Sequence, residues 1–436
     1  MPKDPAGEAV KSGQSWSLGL LFCTLGFIVC TLLTMTPLSH VPDYVIKLHF
    51  SAGSLLAGLS SWWPVRIGTS LRVQTTNGEF FLCLLLAALC CALAALYIYR
   101  RASNISSSVS RIYILLGALL AGLIYVVTPA MLSHDIIVYA SYSRVLATYH
   151  ANPYFTPISA FPADPFTSLN YWAKTVSAYG PIWTLICGAF GWLLSPAPEA
   201  YVLTFRLFAL ACHLLNIWLV GRVLVSLGRS SREVTLGMLL YAWNPLVLLE
   251  SGLGGHNDVF MLTFLLLGVL LAVRAEQRGV LLSARGYLPP LVALVLGALV
   301  KFTALPVLVV YLIWLACKIL RSFPESQTSI RLALRNWQPI LLMLIRCALT
   351  GLATALVFYG PFWIGHSLTE IIASFKNPPS AIGAENSFMR SVIEWLAVHS
   401  DQRSNPLVRI LVSRSFWDYL NYGVIAVCLI IGARRL

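Results

Sequence analysis

An all-helical bundle that crosses a membrane about ten times is the fold class this sequence predicts, and three observations carry it. Of 436 residues, 58% are hydrophobic and only 11% charged, with a mean hydropathy of +0.77; soluble domains carry roughly 25% charged residues. The apolar residues come in runs near the roughly 20 that a helix needs to cross the hydrocarbon core. The basic residues, which give a net charge of +13, sit at the ends of those runs. That is the placement of topology determinants and headgroup contacts, and it argues against a nucleic-acid surface.

In chain order the expected spans are 17–38, 79–99, 112–133, 202–221, 233–253, 258–273, 287–300, 303–320, 338–363 and 418–433. The first is too long for the apolar core of a signal peptide and lacks a small-residue cleavage site, so it reads as a retained span. One further run, 181–195, is bounded by Pro181 and Pro196 and is shorter than a span. Arg100, Arg101 and Arg111 place the 100–111 loop in the cytoplasm. If 181–195 crossed, Arg222, Arg229, Arg232, Arg274, Arg278 and Arg285 would be divided between both sides. If it enters and returns, or lies along the interface, the segments 222–232, 274–286 and 318–336 and the terminal Arg434–Arg435 all become cytoplasmic. The second arrangement is the one expected. It gives ten spans, both termini in the cytoplasm, and the polar segments 39–78, 134–180 and 364–417 together on the extracytoplasmic side.

The chain divides accordingly into N-terminal spans over 1–111, a core over 112–363 carrying the external loop 134–201, and an external loop with a final span over 364–436. The ten cysteines lie almost entirely inside apolar runs, without a Cys-x-x-Cys pair or zinc-type Cys/His spacing, and read as small buried hydrophobes.

Three constellations could carry chemistry. The first begins where the third span ends: His134-Asp135, then Tyr139, Tyr142 and Arg144, closing on Asn152-Pro153-Tyr154. Val138, Tyr142, Val145 and Tyr149 keep helical spacing, which predicts an amphipathic helix lying on the membrane surface. Asp135, in its first turn, reads either as a carboxylate base at headgroup depth or as an acid complementing the helix dipole after an N-cap Ser133. The second is Trp243-Asn244-Pro245 through Glu250, followed by Gly254-Gly255-His256-Asn257-Asp258. A carboxylate near a span end is costly without a partner, so Glu250 is a site candidate, while Asn257 or Asp258 could simply cap the next helix. The third is a set of cations at the outer edge: Arg144, Arg206, Lys301, Arg346 and Arg390. Each could face a phosphate or snorkel to the interface. Two Tyr-Gly-Pro tripeptides, at 179–181 and 359–361, mark helix boundaries. His256 with Asp258 is too sparse to assign a metal; no cofactor is assigned and a divalent cation stays open.

Taken in order, these segments resemble a known family. The His134-Asp135…Tyr139…Arg144…Asn152-Pro153-Tyr154 run is similar to the first external loop of polyprenyl-phosphate-dependent glycosyltransferases of the GT-C fold. Tyr179-Gly180-Pro181-Ile182-Trp183, Arg206-Leu207-Phe208, Asn244-Pro245, Gly255-His256-Asn257-Asp258 and Leu299 through Pro306 follow in the same order, as in bacterial alpha-mannosyltransferases that use polyprenyl phosphomannose. The resemblance implies an inverting transfer of a sugar, mannose by likeness, from a polyprenyl phosphate to an acceptor hydroxyl on the extracytoplasmic face, with Asp135 as base. Together with the charge placement above, it gives the expected substrate contacts: His134, Tyr139, Arg144, Tyr179, Arg206, Glu250, His256, Asn257, Asp258 and Lys301. Expected partners are the polyprenyl-phosphate sugar, a glycan or lipid-glycan acceptor and membrane lipids, with no nucleic acid; the expected location is the bacterial plasma membrane. Many relatives carry a second acid beside the loop aspartate, where this chain has His134, and the loop follows the third span instead of the first. Because the sequence runs only a few residues past its last expected span, no added soluble domain is expected. The rival class is a transporter or flippase for a lipid-linked or anionic solute; such proteins place sites at midplane between inverted repeats, whereas no repeat is visible here and the acids sit at the outer edge.

Overall fold

The computed structural model describes residues 6–39, 73–100, 107–128, 131, 133–322 and 337–376. All regular structure among them is helical. The chain forms two units, one of residues 1–305 and 346–364, the other of residues 306–345 and 365–436.

In the first unit, α1 (Ala6–Ser39), α2 (Val73–Arg100) and α3 (Ser107–Val127) carry apolar runs over Leu18–Met35, Gly78–Arg100 and Val109–Val127. Thr24 and Thr31 in α1 donate to the carbonyls of Leu20 and Phe27, four residues back. α3 stops at Val127, short of the expected end at 133, because the residue before Pro129 is sterically driven out of the helical region. There follow α4 (Asp135–Ala147), a 3-10 turn at Ile158–Ala160, α5 (Pro165–Leu169), α6 (Pro181–Leu193) and α7 (Pro198–Ser226). α5, α6 and α7 all carry proline in the first turn, where its missing N–H has no intrahelical partner to lose. Next come α8 (Ser231–Ala242), opened by a capping box between Ser230 and Glu233, and α9 (Pro245–Gly252), whose N-cap Asn244 accepts from the N–H groups of Leu246 and Val247. α10 (Asp258–Gln277) and α11 (Ala284–Val300) form a hairpin. The second unit contains α12 (Leu305–Arg321) and α14 (Leu368–Lys376), the latter on the helical periodicity of 366–375; α13 (Trp337–Trp363) contributes to both units.

Seven of the described helices are long and apolar enough to cross a membrane, or eight if α8 and α9, bent by 52° at their junction, make one broken span. Of the other two expected spans, 287–300 falls in the 17-residue α11 and 418–433 lies outside the described residues, as does Arg390. The break at 242–245 has a sequence cause: Asn244 and Pro245 end one helix and start another. Trp243 fills the corner, fully buried, donating from Nε1 to the Ile114 carbonyl at 3.0 Å and stacking on Phe27 at 4.9 Å.

The ends of the first unit's bundle differ in chemistry. At one end Arg111 reaches Ser231, Arg232 reaches the Tyr99 carbonyl and ring, and Gln277 donates to the Ser226 carbonyl. The end of α2, the start of α3, the 226–232 segment and the end of α10 therefore meet there. The other end gathers the end of α3, the start of α10 and the end of α11. α6 belongs to that second end. At 13 residues it is about 20 Å long, less than the roughly 30 Å core. The N–H of Gly180 just before it bonds the Val300 carbonyl at 3.1 Å, and α7 sets out for the first end only four residues after it.

α4 departs from expectation. It is buried on every side, Ser141 and Ser143 included, where an exposed polar face was predicted. Both hydroxyls donate to carbonyls four residues back, at 2.9 and 2.8 Å, so residues that look hydrophilic in sequence need no water. The helix is a strut enclosed by α6, α7 and the 158–180 loop.

Gly180 has no room for a side chain: a Cβ there would lie 2.0 Å from the Leu299 carbonyl oxygen. Gly180→Ala is expected to destabilise the protein by about 3 kcal/mol or more, since backbone cannot yield as side chains do. The check is the melting temperature of the purified protein in detergent; an unchanged value would contradict the close approach.

Candidate active site

Asp135 opens α4, with its N–H bonded to Ser133 Oγ at 3.2 Å. Ser133 thus supports the helix start, although His134 occupies the N-cap position and makes no side-chain cap. From the far side of the chain, the turn 253–257 delivers His256. Two features allow it. Gly255 adopts φ +57°, the left-handed region natural to glycine, and a Cβ there would fall 2.8 Å from Ile136. The turn is also clamped from below by Arg206, fully buried, which donates to the carbonyls of Leu253 at 2.8 Å, Val126 at 3.1 Å and Thr128 at 2.6 Å.

His256 bridges two carboxylates. Its Nδ1 lies 3.0 Å from Asp135 Oδ2 and its Nε2 3.0 Å from Glu250 Oε2. The His256 side chain is the least exposed of the three, at 15%, against 23% for Asp135 and 49% for Glu250. Beside it, Lys301 Nζ contacts both oxygens of Asp258, at 2.9 and 2.7 Å. Asp258 is the first residue of α10, and Asn257 before it has helical dihedrals and no capping bond, so neither does the simple capping that sequence allowed for. Asn257 is fully buried, and neither amide atom finds a protein partner.

Burial alone pushes the Asp135 carboxyl up, but the His256 hydrogen bond and charge, the Lys301 charge and the Ser133 contact outweigh it and hold the group below its ordinary 3.8. Burial likewise pushes His256 down, and the bond to Asp135 with the charges of Glu250, Asp135 and Asp258 carries it above 6.5. Each partner keeps the other charged. Under the cluster lie Tyr139 and Tyr179, rings 5.2 Å apart; burial first, then neighbouring charges including those of Asp135 and Asp258, pushes both hydroxyls well above their usual value.

Seven of the eleven expected site residues thus gather at one point: His134, Asp135, Glu250, His256, Asn257, Asp258 and Lys301. Tyr139 and Tyr179 form the layer beneath. Arg206 supports the turn through backbone carbonyls. Arg144 stands apart, nine residues along α4, about 13 Å at the helical rise. It pairs with the buried Asp164 at 2.8 Å, which also accepts from Tyr149. Asp164 was not singled out from the sequence; Asp164-Pro165 carries the signature of a helix start, but the pairing with Arg144 is a long-range contact. Among the described residues no group of three His, Cys, Asp or Glu side chains is arranged to hold a metal.

Residues 45–318 match the family model described as alpha-(1->6)-mannopyranosyltransferase, N-terminal domain. The chain belongs to this family. The match spans every member of the cluster, from His134 to Lys301. The protein is accordingly a hexosyltransferase of the mannosyltransferase class, built of membrane-length apolar helices. No curated protein and no solved structure matches the chain.

A carboxyl held below its unfolded value contributes stability that is present above that value and lost as pH falls through the folded one. An imidazole held above 6.5 contributes stability that is present below 6.5 and lost as pH rises through its folded value. The wild-type melting temperature in detergent is expected to fall as pH rises past 6.5, and His256→Gln to remove that alkaline limb. A wild-type curve flat through neutral and alkaline pH would count against a charged His256.

Proposed function

We propose that this mannosyltransferase transfers mannose from a polyprenyl-phosphate donor to a glycan or lipid-glycan hydroxyl on the extracytoplasmic face, with inversion and with Asp135 as base. The observation that carries the reading is an ionised carboxylate, bridged by His256, beside a lysine at the end of a bundle of membrane-length helices. Charge supports the choice of side: the basic loop ends gather at the opposite end of the bundle, as cytoplasmic loops do.

The acceptor O–H bond breaks toward the Asp135 oxygen that His256 does not hold as the acceptor oxygen bonds the anomeric carbon. The bond from that carbon to the phosphate oxygen breaks with its electron pair going to the phosphate, which leaves with one more negative charge. Lys301 meets that charge. Its present partner Asp258 is half exposed, and such pairs contribute only about 0–1 kcal/mol, so a phosphate can take the ammonium at small cost. The imidazolium of His256 keeps Asp135 ionised and oriented until the proton arrives.

Asp135→Asn is expected to reduce transfer from radiolabelled polyprenyl phosphomannose by about 10³-fold in protein that is still folded at the assay temperature. A folded Asn variant with full activity removes Asp135 from the role. Lys301→Gln is expected to lower kcat/KM for the donor by about 10²-fold; unchanged kinetics would place the leaving phosphate elsewhere.

A further inference from the structure

Tyr171 is a large aromatic residue left 70% exposed on a loop that is otherwise fastened down. Asn170 before it is buried; its Nδ2 donates to Ser141 Oγ on α4 at 2.9 Å, and its Oδ1 accepts the Trp172 N–H at 2.8 Å. The Trp172 carbonyl in turn accepts from the Thr175 hydroxyl and N–H at 2.8 and 2.9 Å. The backbone on both sides of Tyr171 is therefore fixed, and its outward position is set by the loop. The ring rests on the His134 imidazole, centroids 4.0 Å apart and planes tilted by 57°. His134 directly precedes Asp135.

Single exposed aromatics are ordinary, and tyrosines often line the membrane interface. Tyr171 differs from both cases. It has the buried Asn170 and the exposed Lys174 near it in sequence, and it leans on the residue next to the carboxylate instead of on an apolar helix face.

We infer that Tyr171, braced by His134, is a stacking platform for a pyranose ring of the acceptor. One face of a pyranose presents C–H bonds, an apolar patch with slightly positive hydrogens that suits the negative face of an aromatic ring. Stacking there leaves the sugar hydroxyls free, and one of them can reach Asp135. The acceptor is the sugar concerned because its proton goes to Asp135, beside His134, whereas the donor phosphate goes to Lys301 on a different segment. The inference deepens the functional reading above and rests on it for the choice of acceptor over donor.

The test compares wild type, Tyr171→Ala and Tyr171→Phe, each purified in detergent with matched melting temperatures. Tyr171→Ala is expected to raise the KM for an α-(1→6)-linked mannose oligosaccharide by about tenfold, with little change in kcat or donor KM, and Tyr171→Phe, which restores the ring, to bring the acceptor KM back. An unchanged acceptor KM in the Ala variant, a rise confined to donor KM, or a Phe variant as impaired as Ala overturns it. Saturation-transfer NMR with the same oligosaccharide and no donor separates the platform from the base. A signal lost in Tyr171→Ala but kept in Asp135→Asn supports the platform even where Asp135→Asn proves active and the base assignment fails. An equal signal in wild type and Tyr171→Ala overturns the platform whatever Asp135 does.

Discussion

A carboxylate largely removed from water stays charged only if something nearby favours its charged form, and the contact between Asp135 and His256 meets that condition. The two residues are 121 positions apart in sequence, so their meeting constrains much of the first unit. α3 must end early enough for Asp135 to start a new helix. The 253–257 turn must come close enough that Gly255 has no space for a side chain against Ile136. Arg206 holds both requirements together by binding the end of α3 and the turn with one guanidinium. Three buried carbonyls and a buried cation satisfy one another there, which is why a charge can persist at that depth.

Rigidity follows from the layer below. Tyr139 packs edge-on to Trp183 and Tyr179 and against Phe205, tying α4 to α6 and α7. The base proposed at Asp135 must be held within hydrogen-bond reach of the proton it takes, and a helix enclosed on all sides holds its first turn more firmly than one adrift on a membrane surface. α6 gains its purpose here: too short to cross, it closes over α4 and returns the chain to the same end of the bundle.

Much of this was legible in the sequence, for physical reasons. Membrane spans announce themselves by composition, and the break at Asn244-Pro245 by residues that cannot continue a helix. Glu250 and Lys301 stood out because a carboxylate or lysine at a span end is expensive without a partner. What stayed hidden was pairing. Arg206 read as a phosphate ligand or a snorkelling cation because a sequence gives a cation's depth and not which carbonyls surround it. α4 looked amphipathic from the helical spacing of Val138, Tyr142, Val145 and Tyr149, while the bonds of Ser141 and Ser143 back to the helix are invisible in the residue order. His256 as the link between Asp135 and Glu250, and Tyr171 against His134, depend on long loops closing in space, which no local pattern reports.

The central claim is that Asp135 and His256 act as one unit. A double-mutant cycle in kcat/KM over Asp135→Asn, His256→Gln and the pair tests it most directly, since residues serving one function lose it together. The double variant should be no worse than Asp135→Asn alone. Independent, additive losses would contradict the account.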